Sequence, residues 1–210
     1  MAGRPNLLAG ETLPPKPSQR RSIEKQLRIK AASLAEFNKR GYANASIGEI
    51  ARQADLAVGG VYIYFRSKRQ LLLVLMDELL EGLNRLSFSP NVGSDTKNGI
   101  RKLLWTACSH DLRYLGAYRA WKEAALSDPE LARKQQAIQK WTTRRLALLF
   151  SQLQQIPEAR PGVDIHGLAL VMDTFFWSFL SDAAKLSKAQ LGQRIDAAAH
   201  LIHHGLFCDD

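Results

Sequence analysis

Helix-start signals recur along this chain of 210 residues and constrain its fold more than any other feature. In a capping box, a serine hydroxyl accepts the backbone N–H of the third residue on, and the Glu or Gln there accepts the serine N–H. The chain has three such pairs, Ser46 with Glu49, Ser67 with Gln70 and Ser187 with Gln190, and Asp128 precedes Pro129 as a further start. No alternating strand pattern competes with them, so we predict an all-α fold.

Apolar residues at helical spacing predict where the helices lie. The first runs from about Ser22 to Arg40 and ends at Gly41. Two short helices, 47–54 and 57–64, precede a long helix from Ser67 to about Leu86. Beyond residue 90 we expect helices over roughly 95–109, 111–126, 129–155, 164–185 and 188–206. This pattern predicts an N-terminal three-helix head followed by a larger helical body.

The positive charge lies almost entirely in the first third of the chain. Residues 1–70 contain 13 Lys and Arg against 5 acidic residues, and residues 71–210 contain 16 against 15. A basic region of this kind favours a polyanionic partner such as DNA, because neutralised phosphates release condensed counterions. A membrane surface is the weaker alternative, since no apolar face or lipid signal accompanies the charges. Double-stranded DNA is therefore the expected partner.

The first 21 residues contain four prolines among basic side chains and predict a flexible basic arm rather than a helix. Two interpretations are equally open: the arm contacts DNA, or it is a leader without a role. We therefore expect three parts: a flexible basic arm over 1–21, a DNA-binding head over 22–66, and a body for effector binding and dimerisation over 67–210.

The apolar and cysteine patterns bear on localisation. The longest apolar stretch, Ile165 to Leu180, contains His166 and Asp173 and predicts a buried helix rather than a membrane span. Cys108 and Cys208 are the only cysteines, and no secretory signal is visible. Two distant thiols without such a signal favour a reducing cytoplasm, with no disulfide framework.

Two short helices around a tight turn, behind a longer helix in the basic region, are typical of a helix-turn-helix. The segment LAVGGVYIYFRSKRQLL, with FNKRGYANASIGEIARQADL before it, resembles the hallmark of the tetracycline-repressor (TetR) family over about residues 23–72. The resemblance implies a transcriptional regulator that binds a pseudo-palindromic operator as a homodimer. It also implies a repressor that a small-molecule effector releases from its operator.

The resemblance also assigns roles within the predicted helix-turn-helix. Ser46 caps the second helix and can meet a phosphate, while Tyr62, Tyr64 and Lys68 resemble phosphate contacts. Positions that face the major groove in relatives are occupied here by Ala57, Val58, Gly59, Gly60, Tyr62 and Ile63. From their charge and position we add Arg52 at the end of the second helix, and Lys25 and Arg28 in the first.

The predicted recognition helix departs from the family by being apolar and small. Many relatives place polar residues where this chain has Ala57, Val58, Gly60 and Ile63. Apolar groups can recognise thymine methyls, and paired glycines permit close approach of the backbone to DNA. We expect modest direct recognition of bases with a contribution from DNA shape. A frayed segment that becomes ordered on DNA is the alternative.

The last two predicted helices are the expected dimer interface. The final helix carries an apolar stripe, and small residues at 197–199 permit close approach of a second helix. The stripe consists of Leu191, Ile195, Ala198, Ile202 and Leu206. The preceding helix is apolar on nearly every side, so one face can meet the core and another the second copy.

A ligand pocket in the body is the least constrained expectation. Its candidate lining is Trp105, Tyr114, Tyr118, Trp121, Phe150 and Phe176, with ordinary core packing as the alternative for each. Asp173 lies in an otherwise apolar helix and needs a partner, which is a cationic ligand, a buried arginine or water at the dimer interface.

We expect no metal, cofactor or catalytic residue. His200 and His204 are spaced to share a cation on a helix, with His203 beside them, but only the distant Cys208 offers a further ligand. Signatures of hydrolases, phosphate-binding loops and metalloproteases are absent from the sequence. The remaining alternatives are control by a protein partner and, less favoured, a helical metal sensor or an enzyme.

Overall fold

The computed structural model describes residues 3–86, 95–183 and 185–207, and within these ranges the chain forms nine α-helices and no strand. The all-α prediction is confirmed. The helices are α1 (Arg20–Asn44), α2 (Ile47–Gln53), α3 (Val58–Tyr62), α4 (Lys68–Arg85), α5 (Thr96–Arg113), α6 (Leu115–Ala125), α7 (Pro129–Leu153), α8 (Ile165–Ala183) and α9 (Lys188–Leu206).

The predicted capping signals all coincide with helix starts, but only one forms a complete box. At α9, the Ser187 hydroxyl accepts the Gln190 N–H and the Gln190 side chain accepts the Ser187 N–H. At α2 and α4 the serine cap forms, while the Glu49 and Gln70 side chains bond elsewhere. The starts of these four helices were therefore predictable, and the reciprocal bond was not.

The chain divides into two compact units, which we name by their position. The N-terminal unit comprises residues 4–82 and 113–135; the C-terminal unit comprises the described residues of 83–112 and of 136 onward. The N-terminal unit therefore contains α4 up to residue 82 and all of α6, in addition to the predicted head. This division differs from the expected boundary at residue 67, because helices distant in sequence pack against the head.

A small apolar core holds the three head helices together. α1, α2 and α3 each contribute fully buried apolar side chains, and Phe65 and Leu71 extend the cluster into the start of α4. The members on the first three helices are Ile29, Ala32, Ile50, Ala51, Ala54 and Val61. At roughly 25 cal/mol per Å² of apolar surface removed from water, this burial is what stabilises helices as short as α2 and α3.

The N-terminal segment, residues 4–12, does not form the flexible arm that the sequence predicted. The Arg4 guanidinium pairs with both Asp77 oxygens, at 2.5 and 2.9 Å, and with Glu81, and the Leu7 side chain is fully buried. Farther along, Arg69 binds Glu11 at 2.5 Å. The prolines prevent helix formation, but the segment, which makes a turn at residues 7–10, still binds to α4. Composition alone does not reveal this contact.

The C-terminal unit has its own core, and the predicted dimer stripe of α9 belongs to it. Five residues of that stripe are at most 9 % exposed and pack against α5, α7 and α8 residues of the same unit: Leu191, Ile195, Ala198, Ile202 and Leu206. The stripe is therefore intramolecular, because the most continuous apolar face of a helix is used first for the core. Exposed apolar side chains lie on other faces, at Leu170 and Val171 of α8 and Leu201 of α9.

None of the described helices combines the length and apolar character needed to span a membrane. The segment from Ile165 to Leu180 lies in α8, and its Asp173 is buried in the C-terminal unit.

Candidate DNA-binding surface and body cavity

Two residues with positive φ shape the predicted helix-turn-helix, one ahead of it and one in its turn. Gly41, with φ 73°, interrupts α1 where the sequence predicted its end, and Asp55, with φ 55°, forms the turn between α2 and α3. After Asp55 the Leu56 N–H bonds back to the Ala51 carbonyl at 3.0 Å, which closes the end of α2. Asp is among the non-glycine residues that tolerate this conformation best.

The predicted recognition helix, α3, is five residues long, and apolar side chains in and directly after it are exposed. Val58 is 46 %, Tyr62 48 % and Ile63 68 % exposed, whereas Val61 between them is fully buried in the head core. The packing residues and the predicted DNA-facing residues thus lie on different faces of one short helix. These exposed apolar groups are available to a partner.

The two glycines of α3 are not required by packing in this structure. A methyl group at Gly59 would meet no atom within 4 Å, and one at Gly60 would meet only the Leu56 Cβ, at 3.8 Å. Neither glycine has a positive φ. Space for a close partner, rather than backbone conformation, is therefore the property that these glycines supply.

A buried carboxylate connects α1 to α2. Glu36 is fully buried, receives a hydrogen bond from Gln53 Nε2 at 3.1 Å, and pairs with Arg40 at 3.2 Å. A buried charge needs such partners to offset its desolvation. The sequence analysis missed this role, since the acid occurs within an ordinary charged helix pattern.

The predicted DNA-contacting cations differ in how far they are engaged. Arg52 is 73 % exposed and makes two hydrogen bonds to Glu49, at 2.5 and 3.0 Å. These bonds, together with one from Gln53, lower the pKa of Glu49 to about 2. Lys25 is exposed, and Arg28 makes only a 3.4 Å pair with the exposed Asp55. Exposed pairs of this kind exchange partners readily.

Lys68 is placed differently from the prediction. Its ammonium donates to the carbonyl oxygens of Tyr42, Ala43 and Ala45, at 2.6, 3.2 and 2.9 Å, and lies 4.6 Å from the centre of the Tyr42 ring. Since an ammonium group has three N–H donors, these carbonyls use all of them. In this structure Lys68 therefore binds the backbone before α2, and a phosphate contact requires one of these bonds to be exchanged.

The remaining predicted residues of this surface differ in their exposure. Ser46 and Ala57 are exposed at the starts of α2 and α3, and the Ser46 hydroxyl accepts the Glu49 N–H at 3.1 Å. Tyr64 is partly buried against the head core.

A second backbone contact was missed: Glu123 of α6 accepts the N–H groups of Tyr42 and Ala43, 80 residues earlier in the chain.

The C-terminal unit contains a small apolar cavity. The cavity volume is about 10 Å³, roughly what one water molecule needs. Of the predicted pocket residues, Phe150 and Phe176 line it, and the remaining lining is Ile100, Leu103, Leu104, Leu146, Leu149, Leu153 and Ile202. A drug-sized ligand needs several hundred Å³, so these side chains must move to admit one.

The other predicted pocket residues do not line this cavity. Trp105 packs against the core of the same unit. In the N-terminal unit, Tyr118 and Trp121 are buried and Tyr114 is partly buried. Asp173 bonds to Thr142, Thr143 and Trp177, although desolvation outweighs these bonds and raises its pKa.

A second acid of the C-terminal unit, which is partly buried, was not predicted. Asp111 on α5 has one carboxyl oxygen, Oδ1, that is shielded from solvent and has no hydrogen-bond partner among the described residues. Burial raises the pKa of this carboxyl to about 8. Its charge also contributes to the raised pKa of the buried Cys108 thiol, about 12, for which burial is the larger cause. Such a thiol is unreactive at neutral pH.

The three histidines near the end of α9 lie close together. The His200 and His204 ring centres are 3.8 Å apart, and His203 stacks on Phe207. In the described part of the chain, no three His, Cys, Asp or Glu residues are grouped so as to hold a metal ion. Cys208 lies outside the described residues.

Known proteins resemble this chain both in the helix-turn-helix region and over most of its length. Residues 29–75 match the family model described as bacterial regulatory proteins, tetR family. The HTH-type transcriptional regulator BetI of Stenotrophomonas maltophilia is 30 % identical over 148 residues, which cover 68 % of this chain and 74 % of that protein. The uncharacterised HTH-type regulator YuxN of Bacillus subtilis is 39 % identical, but over 54 residues only, 26 % of this chain and 19 % of its own length.

Solved structures share the fold across the chain. The fatty acid degradation regulator FadR of Bacillus halodurans superposes with a TM-score of 0.68 at 16 % identity, over 89 % of this chain and 96 % of that one. A TetR-family regulator of Mesorhizobium loti gives a TM-score of 0.61 at 22 % identity, over 90 % and 100 %. The similarity thus extends from the helix-turn-helix through the helical body.

Proposed function

Because the chain belongs to the TetR family of bacterial regulatory proteins, and is therefore a DNA-binding transcriptional regulator, we propose that α3 recognises its operator mainly through apolar contacts. The observation that carries this proposal is the exposure of Val58, Tyr62 and Ile63 beside two glycines that have open space around them. In the major groove, thymine offers a methyl group to such side chains. Ser46 and Arg52, with Lys25 and Arg28, supply phosphate contacts that hold the protein in register.

The experiment replaces thymine methyls one at a time. Genomic fragments that bind the wild-type protein are selected and sequenced, and each thymine of the common half-site is then replaced by uracil. A buried methyl contributes about 0.8 kcal/mol, so we expect about fourfold weaker binding at the contacted thymines. The loss should disappear in Ile63→Ala or Val58→Ala, whichever side chain makes the contact. Binding insensitive to every uracil replacement contradicts apolar recognition without affecting membership of the family.

The active species in this proposal is a homodimer on a pseudo-palindromic operator. The last two helices remain the proposed interface, now through the exposed Leu170 and Val171 of α8 and Leu201 of α9. We expect Val171→Arg to produce monomers in analytical ultracentrifugation and to weaken operator binding. Leu126→Arg is the matched control, because Leu126 is 89 % exposed on the N-terminal unit and outside the proposed interface. A Val171→Arg protein that remains dimeric rules out this face.

We further propose that the protein is a repressor released from DNA by a small molecule with an apolar body. The support is the wholly apolar lining of the cavity at Phe150 and Phe176. Binding there would shift the body helices and α4, so that the two recognition helices no longer match the operator. An effector must favour the free form by about 1.4 kcal/mol for each tenfold loss of DNA affinity. Action on DNA in a bacterium also implies a cytoplasmic location.

Control by a protein partner is a second candidate, favoured by the small size of the cavity. The two are separated by dividing an extract of the source bacterium into small-molecule and macromolecular fractions. The small-molecule fraction should release the protein from its operator, and Phe176→Arg should abolish the response while leaving operator binding intact. Release by the protease-sensitive macromolecular fraction alone supports the second candidate and contradicts the first.

A further inference from the structure

The backbone that enters α2 is held by a carboxylate from a distant helix. Glu123 of α6 accepts the Tyr42 N–H at 2.6 Å with Oε2 and the Ala43 N–H at 2.9 Å with Oε1. Both oxygens of one carboxylate therefore engage two consecutive amides. Hydrogen bonds from amides to an ionised acceptor are about twice as strong as neutral ones. This contact fixes the chain just before the Ser46 cap of α2.

The carbonyl groups of the same segment are held by α4. Lys68 donates to the carbonyls of Tyr42, Ala43 and Ala45, while the charge of Glu123 opposes the lowering of the Lys68 pKa by burial. N–H groups bound by α6 and C=O groups bound by α4 leave residues 42–45 little freedom. We call this pair of side chains, Glu123 and Lys68, the backbone clamp.

The helix that carries Glu123 is itself fixed closely on α1. An added methyl at Gly116 would collide with the Leu34 carbonyl oxygen, and Arg119 donates to the Asn38 carbonyl at 3.2 Å. One turn on, a methyl at Gly41 would collide with the Glu123 carboxylate. Gly116, Arg119 and Glu123 thus form one face of α6 along the second half of α1. A displacement of α6 therefore moves the segment that begins α2.

We propose that Glu123 is a positioning residue for DNA recognition: through the Tyr42 and Ala43 amides it sets the orientation of α2 and α3 without touching DNA. The proposal rests on DNA binding by the family's helix-turn-helix and does not depend on which bases α3 contacts. Binding sites require their groups to be held to within about 0.5 Å, and a segment of four residues held on both its N–H and C=O sides supplies such a restraint. The distance of 80 residues along the chain explains why no local motif marks it.

The sign of the effect separates this role from plain electrostatics. Removing a negative charge from a basic DNA-binding protein strengthens DNA binding when charge alone matters. Loss of a positioning contact weakens it. Because Glu123 makes no phosphate contact in this proposal, the slope of log K against log salt should stay the same when it is replaced.

The test compares Glu123→Gln and Glu123→Ala with Glu24→Gln. Glu24 is an exposed acid of α1 in the same unit, paired only with the adjacent-turn Arg20, and controls for the change in charge. The probe is the genomic fragment bound best by wild-type protein, measured by fluorescence anisotropy at several salt concentrations. Circular dichroism at the assay temperature confirms that each variant is folded.

We expect Glu123→Ala to weaken operator binding at least tenfold at an unchanged salt slope, with binding to random DNA largely retained. Glu123→Gln, which keeps one acceptor oxygen, should lose about threefold, and Glu24→Gln should bind as tightly as wild type or slightly better. If Glu123→Ala does not fold, the Gln variant decides alone. Wild-type or tighter binding by a folded Glu123 variant overturns the positioning role, whereas failure of the wild-type protein to select any fragment concerns the proposed function instead.

Discussion

Arg52 and Glu49 form a two-bond ion pair, 2.5 and 3.0 Å, on the exposed side of α2. Bonds from Arg52 and Gln53 lower the pKa of Glu49 to about 2, so this acid is ionised throughout the neutral range. The Arg52 guanidinium is therefore already paired before DNA arrives. Because the pair is exposed, Arg52 can exchange Glu49 for a DNA phosphate, but Glu49 competes with the phosphate for the guanidinium.

We predict that Glu49→Gln strengthens binding to operator and random DNA several-fold, because Arg52 is released for a phosphate. Fluorescence anisotropy across a salt series measures this. Arg52→Ala should reduce the slope of log K against log salt by about 0.9, the value for one phosphate contact. Glu24→Gln, which removes a charge elsewhere on the head, is the matched control. An Arg52→Ala protein with the wild-type slope excludes Arg52 from the phosphate contacts.

The local signals of this sequence were informative because their physics is local. The hydroxyl of Ser46 bonds a residue three positions on, and Gly41 interrupts α1 through its own backbone conformation, so spacing and residue type suffice to predict both. By the same logic, the scaffold of the head followed from buried residues at helical spacing. The helix-turn-helix was thus predictable in outline from residues 23–72.

What the sequence did not reveal depends on contacts across the fold. Glu123 and Tyr42 are 81 residues apart, and Lys68 resembles a phosphate contact while its ammonium is bound to three carbonyls. Similarly, the apolar stripe of α9 predicted a dimer interface, whereas the packing of the C-terminal unit shows that the stripe faces the core. Periodicity identifies an apolar face but not its partner.

Replacement of Gly59 by Ala separates folding from DNA binding. A methyl at this position meets no atom within 4 Å, and Ala favours a helix by about 1 kcal/mol over Gly. We therefore predict that Gly59→Ala leaves the thermal midpoint unchanged or raises it, yet weakens operator binding at least tenfold if the α3 backbone approaches DNA closely. Differential scanning calorimetry and operator titration test the two halves. Full operator affinity in a stabilised Gly59→Ala protein refutes close backbone approach.

The N-terminal segment is predicted to stabilise the N-terminal unit rather than to bind DNA. Its Leu7 side chain is fully buried, so Leu7→Ala should lower the free energy of unfolding in urea by about 2 kcal/mol. Leu13→Ala, at a 37 % exposed position, should change it little. Arg4→Ala should leave the salt slope of operator binding unaltered, because Arg4 is bound by Asp77 and Glu81. A shallower slope of log K against log salt for Arg4→Ala would instead show that the N-terminal segment contacts DNA.

Asp111 should make stability depend on pH in the direction opposite to that of an ion-paired acid. Burial raises its pKa from 3.8 to about 8 in the folded state. Between these values the unfolded chain is ionised while the folded chain keeps the proton, so stability falls as pH rises from 4 to 8 and levels off above. Asp111→Asn removes this loss. Since one pKa unit corresponds to about 1.4 kcal/mol, the advantage of the Asn variant in urea unfolding should grow by at least about 1 kcal/mol between pH 5 and pH 8.5. An advantage that is the same at both pH values means that Asp111 titrates normally, and its buried oxygen must then have found a partner such as water.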